Sequence, residues 1–273
     1  MKHEIISIIT VCYNAVNDIE ETIQSVINQT YENIEYIIVD GGSKDGTVDI
    51  IRKYENYIAK WVSEPDKGIY DAMNKAIKMA SGKWLNFMNA GDHFVNSVVI
   101  AEISDWFNSD SDVLYGDTIL ELERSHLIII KANTEALANP RSMAMGYYHQ
   151  SSFVKTELAK LYPFDLSFKL AADFNMMLTL YRKGYKFSYV GVPIAYYDTQ
   201  GVSSQNVFQH RYECLTSRNP RTIVLNRIRA KFVSCKMLIK QELRILLGKR
   251  ILNWYYSIKH GRVSSYKVIN LDK

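Results

Sequence analysis

The chain of 273 residues carries only three cysteines, Cys12, Cys214 and Cys235. An odd, widely spaced set makes neither a zinc pattern nor a disulfide framework, and it favours a reducing compartment. No uninterrupted run of about 18 apolar residues occurs, which argues against a spanning helix. The start of the chain lacks the form of a signal peptide. Its apolar run is short, passes into Cys12-Tyr13-Asn14 and then meets Asp18, Glu20 and Glu21. No G-x-G-x-x-G follows a strand-like run, which disfavours a dinucleotide dehydrogenase. The segment after the first strand reads CYNAVNDIEE. It is acidic and free of glycine, so it does not suit the basic phosphate loop of a nucleotidyltransferase.

What is present is ordinary for a globular protein: 47% hydrophobic and 23% charged residues, enough for a sizeable core. The length allows one large domain, or a domain with an appendage. Tyrosine is abundant, with 19 residues. Exposed tyrosines can stack on sugar faces, although strand and interface packing is the favoured account from composition alone. The net charge of +4 hides a split. Residues 205–273 hold 15 Lys/Arg against 3 Asp/Glu, and the rest of the chain holds 18 against 26. A basic tail on an acidic body suggests an anionic partner for the tail.

The N-terminal half alternates strand and helix. Apolar, β-rich runs at Ile5–Val11, Ile34–Val39, Ile58–Val62 and Trp84–Met88 predict strands. Between them, Ile19, Ile23, Val26 and Ile27 follow a helix start at Asn17 or Asp18, and Val48, Ile50 and Ile51 begin a second helix. Ile69, Ala72, Met73, Ala76 and Ile77 repeat at helical spacing up to Ser81-Gly82. This order predicts βαβ units, hence an α/β fold with a doubly wound, mostly parallel sheet. Further on, the pattern predicts a helix over Val98–Phe107, strands at Val113–Tyr115 and within Ile119–Ile130, loop over residues 134–152, a helix over Leu170–Tyr181 and a strand over Tyr185–Tyr197. From about Val207 an apolar stripe, including Ile223, Ile228, Phe232 and Leu243, runs between Lys and Arg and predicts a long basic helical tail.

Ligands of open α/β sheets bind outside the carboxyl ends of the strands. Two of the predicted strands end there in aspartate-bearing turns, at Asp40 and Asp92, with Asp66, Asp71 and Asn74 between them. The pieces SIITVCYN, YIIVDGGSKDGT, SEPDKGIYDAMNKAI, LNFMNAGD and AADFNMM, in this order from about Ile5 to Ser203, resemble the family 2 glycosyltransferases, inverting sugar transferases of the GT-A fold. The SEPDKGIYDAMNKAI wording is similar to bacterial enzymes that build O-antigen, capsule or colanic-acid units.

The resemblance implies roles for individual residues. Asp40 would accept a hydrogen bond from the nucleotide base, with only turn capping as the alternative. Thr10, Tyr13 and Asn14 are similar to residues that flank the nucleoside, and Gly41 lies in the same turn region. Asp66 would lie near the nucleoside or phosphates, or serve only its Pro-Asp-Lys-Gly turn. Asp71 and Asn74, at i and i+3 of one helix, would face the cleft. Asn89, Ala90 and Gly91 lead to Asp92, the expected ligand of Mn²⁺ or Mg²⁺, which would bridge the donor's phosphates. Family members usually carry Asp-x-Asp here, but Ala90 stands where the first aspartate would, so one carboxylate is missing. His149 is a weaker ligand candidate and, with Gln150 and the turn Gly201-Val202-Ser203, borders the acceptor side. Asp173 is the expected catalytic base, taking the acceptor hydroxyl's proton; the bland alternative is a helix-N-terminal acid.

These readings divide the chain into a GT-A catalytic domain over 1–205 (donor half about 1–95, acceptor half about 96–205) and a basic helical tail over 206–273. They predict a nucleotide-diphospho-sugar donor, UDP-linked by resemblance, and a saccharide or polyprenyl-diphosphate-linked acceptor in surface polysaccharide synthesis. The expected location is cytoplasmic, peripheral on the inner face of a bacterial plasma membrane, with the tail either on the membrane surface or packed on the domain. No nucleic acid is expected, and a homo-oligomer stays open. The alternatives are a degenerate protein that binds nucleotide-sugar without turnover, and a nucleic-acid-binding module built on the tail.

Overall fold

The computed structural model describes residues 4–122, 126–140, 142, 144–197, 206–235 and 266–270. The Gly201-Val202-Ser203 turn lies outside them. The core is a sheet whose parallel half joins β1 (Ile6–Cys12), β2 (Ile34–Asp40), β3 (Lys60–Ser63) and β4 (Trp84–Phe87) in the order β4-β1-β2-β3. Both faces of β1, β2 and β4 are covered, while the edge strand β3 is only partly buried. In β1, Ile9 and Val11 join one apolar cluster while Ile6 and Ile8 join the other, as the two-residue period of a strand requires. One cluster holds the apolar faces of α1 (Ile19–Ile27) and α2 (Thr47–Lys53); the other holds those of α3 (Ile69–Met79), α6 (Thr156–Leu161) and α7 (Ala172–Arg182).

The sheet is mixed rather than uniformly parallel. β8 (Ser152–Lys155) runs antiparallel to β4 and to β6 (Val113–Leu122), β6 forms an antiparallel pair with β7 (His126–Ile130), and β9 (Phe187–Tyr197) lies parallel to β6. The short β5 (His93–Phe94) pairs with β9. The helix expected over Val98–Phe107 breaks into α4 (Val99–Glu102) and a 3₁₀ turn at Ser104–Asn108. The expected loop near residue 135 contains the one-turn α5 (Glu135–Ala138), and His149–Ser151 form a 3₁₀ turn leading into β8. The tail begins with α8 (Val207–Arg218) and a second helix over residues 223–235. It does not stay helical: β10 (Tyr266–Asn270) pairs antiparallel with β7 at the sheet edge. No helix among the described residues is long and apolar enough to cross a membrane.

Candidate active site

The carboxyl ends of β1, β2 and β4 open on the side where α7 begins. Asp173 is the second residue of α7, where the helix dipole favours an anion. Its side chain is 14% exposed and held from both sides. The Tyr70 hydroxyl of α3 donates to Oδ1 at 3.0 Å, and His149 Nδ1 lies 3.1 Å from Oδ2. A carboxylate only accepts, so His149 donates through Nδ1. Its Nε2 then accepts from the Asn89 side-chain amide at 3.2 Å. Burial pushes the Asp173 carboxyl up, but the His149 hydrogen bond leads the causes that outweigh burial and hold it below the ordinary carboxylate range. An ionised, oriented carboxylate is a proton acceptor at neutral pH.

Asn89 opens a tight turn. The Asp92 amide donates to the Asn89 carbonyl at 2.9 Å, and Gly91 sits at φ +96°. That conformation suits glycine and strains residues with a side chain, so an aspartate at position 91 would be unfavourable in this turn. Thr22 pins the turn from α1, its hydroxyl donating to the Asp92 carbonyl at 2.8 Å. The Asp92 carboxylate is buried and accepts the Gln150 side-chain amide at 2.8 Å. His149 is directed at Asn89 and Asp173. Among the described residues no three of His, Cys, Asp and Glu form a metal cluster. The donor set nevertheless fits a hard cation. Beside the one carboxylate, Asn89 Oδ1 and Gln150 Oε1 are buried acceptors with no hydrogen-bond partner. One carboxylate with neutral oxygens, completed by substrate phosphates, is a usual set for Mg²⁺.

The ends of β1 and β2 and the start of α3 hold the other expected residues. Asp40 is fully buried, and its carboxylate accepts from the Gly42 amide (3.1 Å), the Ser43 amide (2.9 Å), the Ser63 hydroxyl (2.6 Å) and the Ser43 hydroxyl. These donors tie both Asp40 oxygens to the GGS turn and to the end of β3. Burial pushes its carboxyl up, and these donors prevail and lower it. Thr10 is also fully buried, spent on the Met88 carbonyl at 2.7 Å and the Tyr36 hydroxyl at 2.9 Å. Asn74 grips the Phe164 backbone with both ends of its amide, each at 2.9 Å, and is a tether. Asp71 accepts the Lys67 amide at 2.9 Å and caps its own helix start. Asn14, at φ +49°, ties the first turn to the second through the Lys44 amide at 3.1 Å.

Three residues do converge at an open notch. Tyr13 is 65% exposed. A Cβ added to Gly41 would stand 2.6 Å from Asp66 Oδ2 and 3.2 Å from the Tyr13 ring, so glycine is what lets them approach. Asp66 is part-exposed, and its Oδ1 accepts the Gly68 amide at 2.7 Å.

The profile of glycosyl transferase family 2 matches residues 7–145 of this chain. The chain belongs to that family. An uncharacterized glycosyltransferase of Mycobacterium tuberculosis is 36% identical over 180 residues, covering 63% of this chain and 67% of that protein. The Escherichia coli UDP-Glc:alpha-D-GlcNAc-diphosphoundecaprenol beta-1,3-glucosyltransferase WfaP is 38% identical over 101 residues, 37% of this chain and 40% of WfaP. Among solved structures, Staphylococcus aureus TarS 1–349 in complex with UDP aligns with TM-score 0.61 at 21% identity, over 78% of this chain and 65% of that one. The Pyrobaculum calidifontis mannosyltransferase PcManGT, in complex with GDP-Man and Mn²⁺, aligns with TM-score 0.61 at 16% identity, over 93% and 84%. The fold is GT-A, and the protein is a glycosyltransferase.

Two further residues of this family 2 transferase shape the site without having been singled out by the sequence. One is Tyr70, inside the SEPDKGIYDAMNKAI piece but outside its helix-spaced apolar set. The other is Glu213 in α8, a buried carboxylate that accepts the backbone amides of Lys169 (3.0 Å), Leu170 (2.8 Å) and Ala171 (3.0 Å). These are the residues that lead into the Asp173 helix. Arg218, also buried, donates to the carbonyls of Ala136, Leu137 and Ser142 and lies over the Phe174 ring. The first tail helix is thus built into the site's support.

Proposed function

We propose that this glycosyltransferase inverts: it moves a sugar from a nucleoside-diphosphate sugar, UDP-linked, to a hydroxyl of a lipid-linked saccharide on the cytoplasmic face of a bacterial membrane. The observation that carries this reading is Asp173, ionised and aimed by His149 and Tyr70 beside the turn at residues 89–92. The acceptor hydroxyl gives its proton to Asp173 as its oxygen attacks the anomeric carbon from the face opposite the leaving diphosphate. One displacement inverts that carbon and needs no protein nucleophile. Tyr13 and Asp66 take the nucleoside in the notch at Gly41, with Asp66 as the acceptor for a base or ribose donor. Support for UDP comes from the donor named for WfaP and from the UDP bound in TarS. Support for a lipid-linked acceptor comes from the diphosphoundecaprenol in the WfaP name.

Mn²⁺ or Mg²⁺ would be held by Asp92 with the amide oxygens of Asn89 and Gln150, and would offset the charge of the departing diphosphate. Mn²⁺ in PcManGT supports this. The test is a panel of UDP- and GDP-sugars with a synthetic diphosphate-linked GlcNAc acceptor, read by nucleotide release and by NMR of the new anomeric proton. Inversion is expected, with loss of transfer on chelation and recovery on adding Mn²⁺. A product that keeps the donor's anomeric configuration would end the single-displacement reading. Transfer indifferent to chelation would end the metal reading.

A further inference from the structure

The helix over residues 223–235 is turned inside out. It buries Asn226, Ala230 and Ser234, small or polar residues spaced four apart on one face. On the opposite face Val224, Ile228 and Phe232, also spaced four apart, are 74%, 61% and 71% exposed. At 3.6 residues per turn these three form one continuous stripe, and Leu225, also exposed, widens it. Asn226 explains the inward face in part: its amide donates to the Asn219 carbonyl at 2.9 Å and accepts the Thr222 hydroxyl at 3.1 Å, locking the helix start. Helical rotation places Arg227 and Lys231 along one border of the stripe and Arg229 along the other, all exposed. Between Glu213 and Glu242 the sequence holds no acidic residue.

An apolar centre with cations on both borders is the pattern of a helix that lies in a membrane interface. The apolar side chains sink below the headgroups, and Lys and Arg stems reach back to anionic lipid. We propose that residues 223–235 form a docking surface for an anionic lipid bilayer. The proposal extends the reading above, which needs an acceptor at a membrane but names no surface that meets it. Charge decides the occupant. A second copy would set the same cations against one another with no acid to pair them. Nucleic acid would answer the cations and leave the apolar stripe in water. An anionic bilayer satisfies both.

The test uses the full chain and sucrose-loaded vesicles of phosphatidylcholine, alone or with about 30% phosphatidylglycerol. The protein should sediment with the anionic vesicles and far less with the neutral ones. Val224→Ser/Ile228→Ser/Phe232→Ser should lower that partitioning at least about a hundredfold. Arg227→Gln/Arg229→Gln/Lys231→Gln should remove the preference for anionic lipid. All six side chains are exposed, so both variants should keep the wild-type melting temperature and the wild-type rate on a water-soluble acceptor. Absent vesicle binding by the wild type, or unchanged binding by the triple serine variant, would overturn the proposal. So would a wild-type dimer in sedimentation velocity that the serine variant dissolves. Transfer on the soluble acceptor separates the two readings: an active enzyme that ignores vesicles sinks only the docking surface.

Discussion

Replacing His149 should change the acidity of Asp173 before it changes anything else. In the native site, burial pushes the Asp173 carboxyl up, and the His149 bond at 3.1 Å helps to reverse that push. A hydrogen bond to a charged group in such a site contributes about 1.5–3 kcal/mol. Without that bond burial is less opposed, so His149→Ala should raise the Asp173 pKa. The base is active only when ionised. The acid limb of log(kcat/KM), which reports the free enzyme, should therefore move to higher pH. His149→Asn can still present an N–H near the position of Nδ1 and should fall between wild type and alanine. The assay is nucleotide release with acceptor held below its KM across about pH 3 to 8, a range that brackets ordinary and raised carboxyl values. Acid limbs that superimpose in wild type and His149→Ala would refute the reasoning, whatever the plateau rates.

Glu213→Ala should leave three backbone amides before α7 without their acceptor and lower stability by about 3 kcal/mol, read as a drop in melting temperature. Glu213→Gln keeps one acceptor oxygen and should recover part of the loss; if kcat falls with melting temperature unchanged, the supporting role of Glu213 fails. Asp40→Asn should put an amide N–H₂ among the donors of the GGS turn and cost about 2–3 kcal/mol at neutral pH. Because the folded Asp40 carboxyl is lowered, its stabilisation is present above the unfolded value of about 3.9 and fades as pH falls through the folded value. The gap in melting temperature between wild type and Asp40→Asn should accordingly shrink in acid, and a gap that widens there would contradict the assignment.

Strands β1 and β2 of the parallel half were legible because they are covered on both faces and so read as unbroken apolar runs: Ile5–Val11 became Ile6–Cys12, and Ile34–Val39 became Ile34–Asp40. The α3 helix was legible from its spacing, and Asp173 was already expected at the start of a helix. What periodicity does not carry is which way a polar side chain turns at a strand end. Thr10 and Asp40 lie at strand ends, and both are buried and bonded to neighbouring backbone and hydroxyls. Nor does spacing reveal pairings across the chain. Tyr70 and Asp173 lie 103 residues apart, and Glu213 meets Ala171 across 42. The tail shows the same limit: its apolar stripe was visible in the sequence, but only the buried Asn226 and Ala230 reveal that the stripe faces outward.

The account rests on Asp173 as the proton acceptor, and Asp173→Asn tests it most directly. The amide keeps the shape of the side chain and removes its basicity. Transfer should fall ~10²–10⁴-fold while titration calorimetry finds donor affinity within about twofold of wild type. A variant that transfers sugar within about threefold of the wild-type rate would contradict the mechanism proposed for this site.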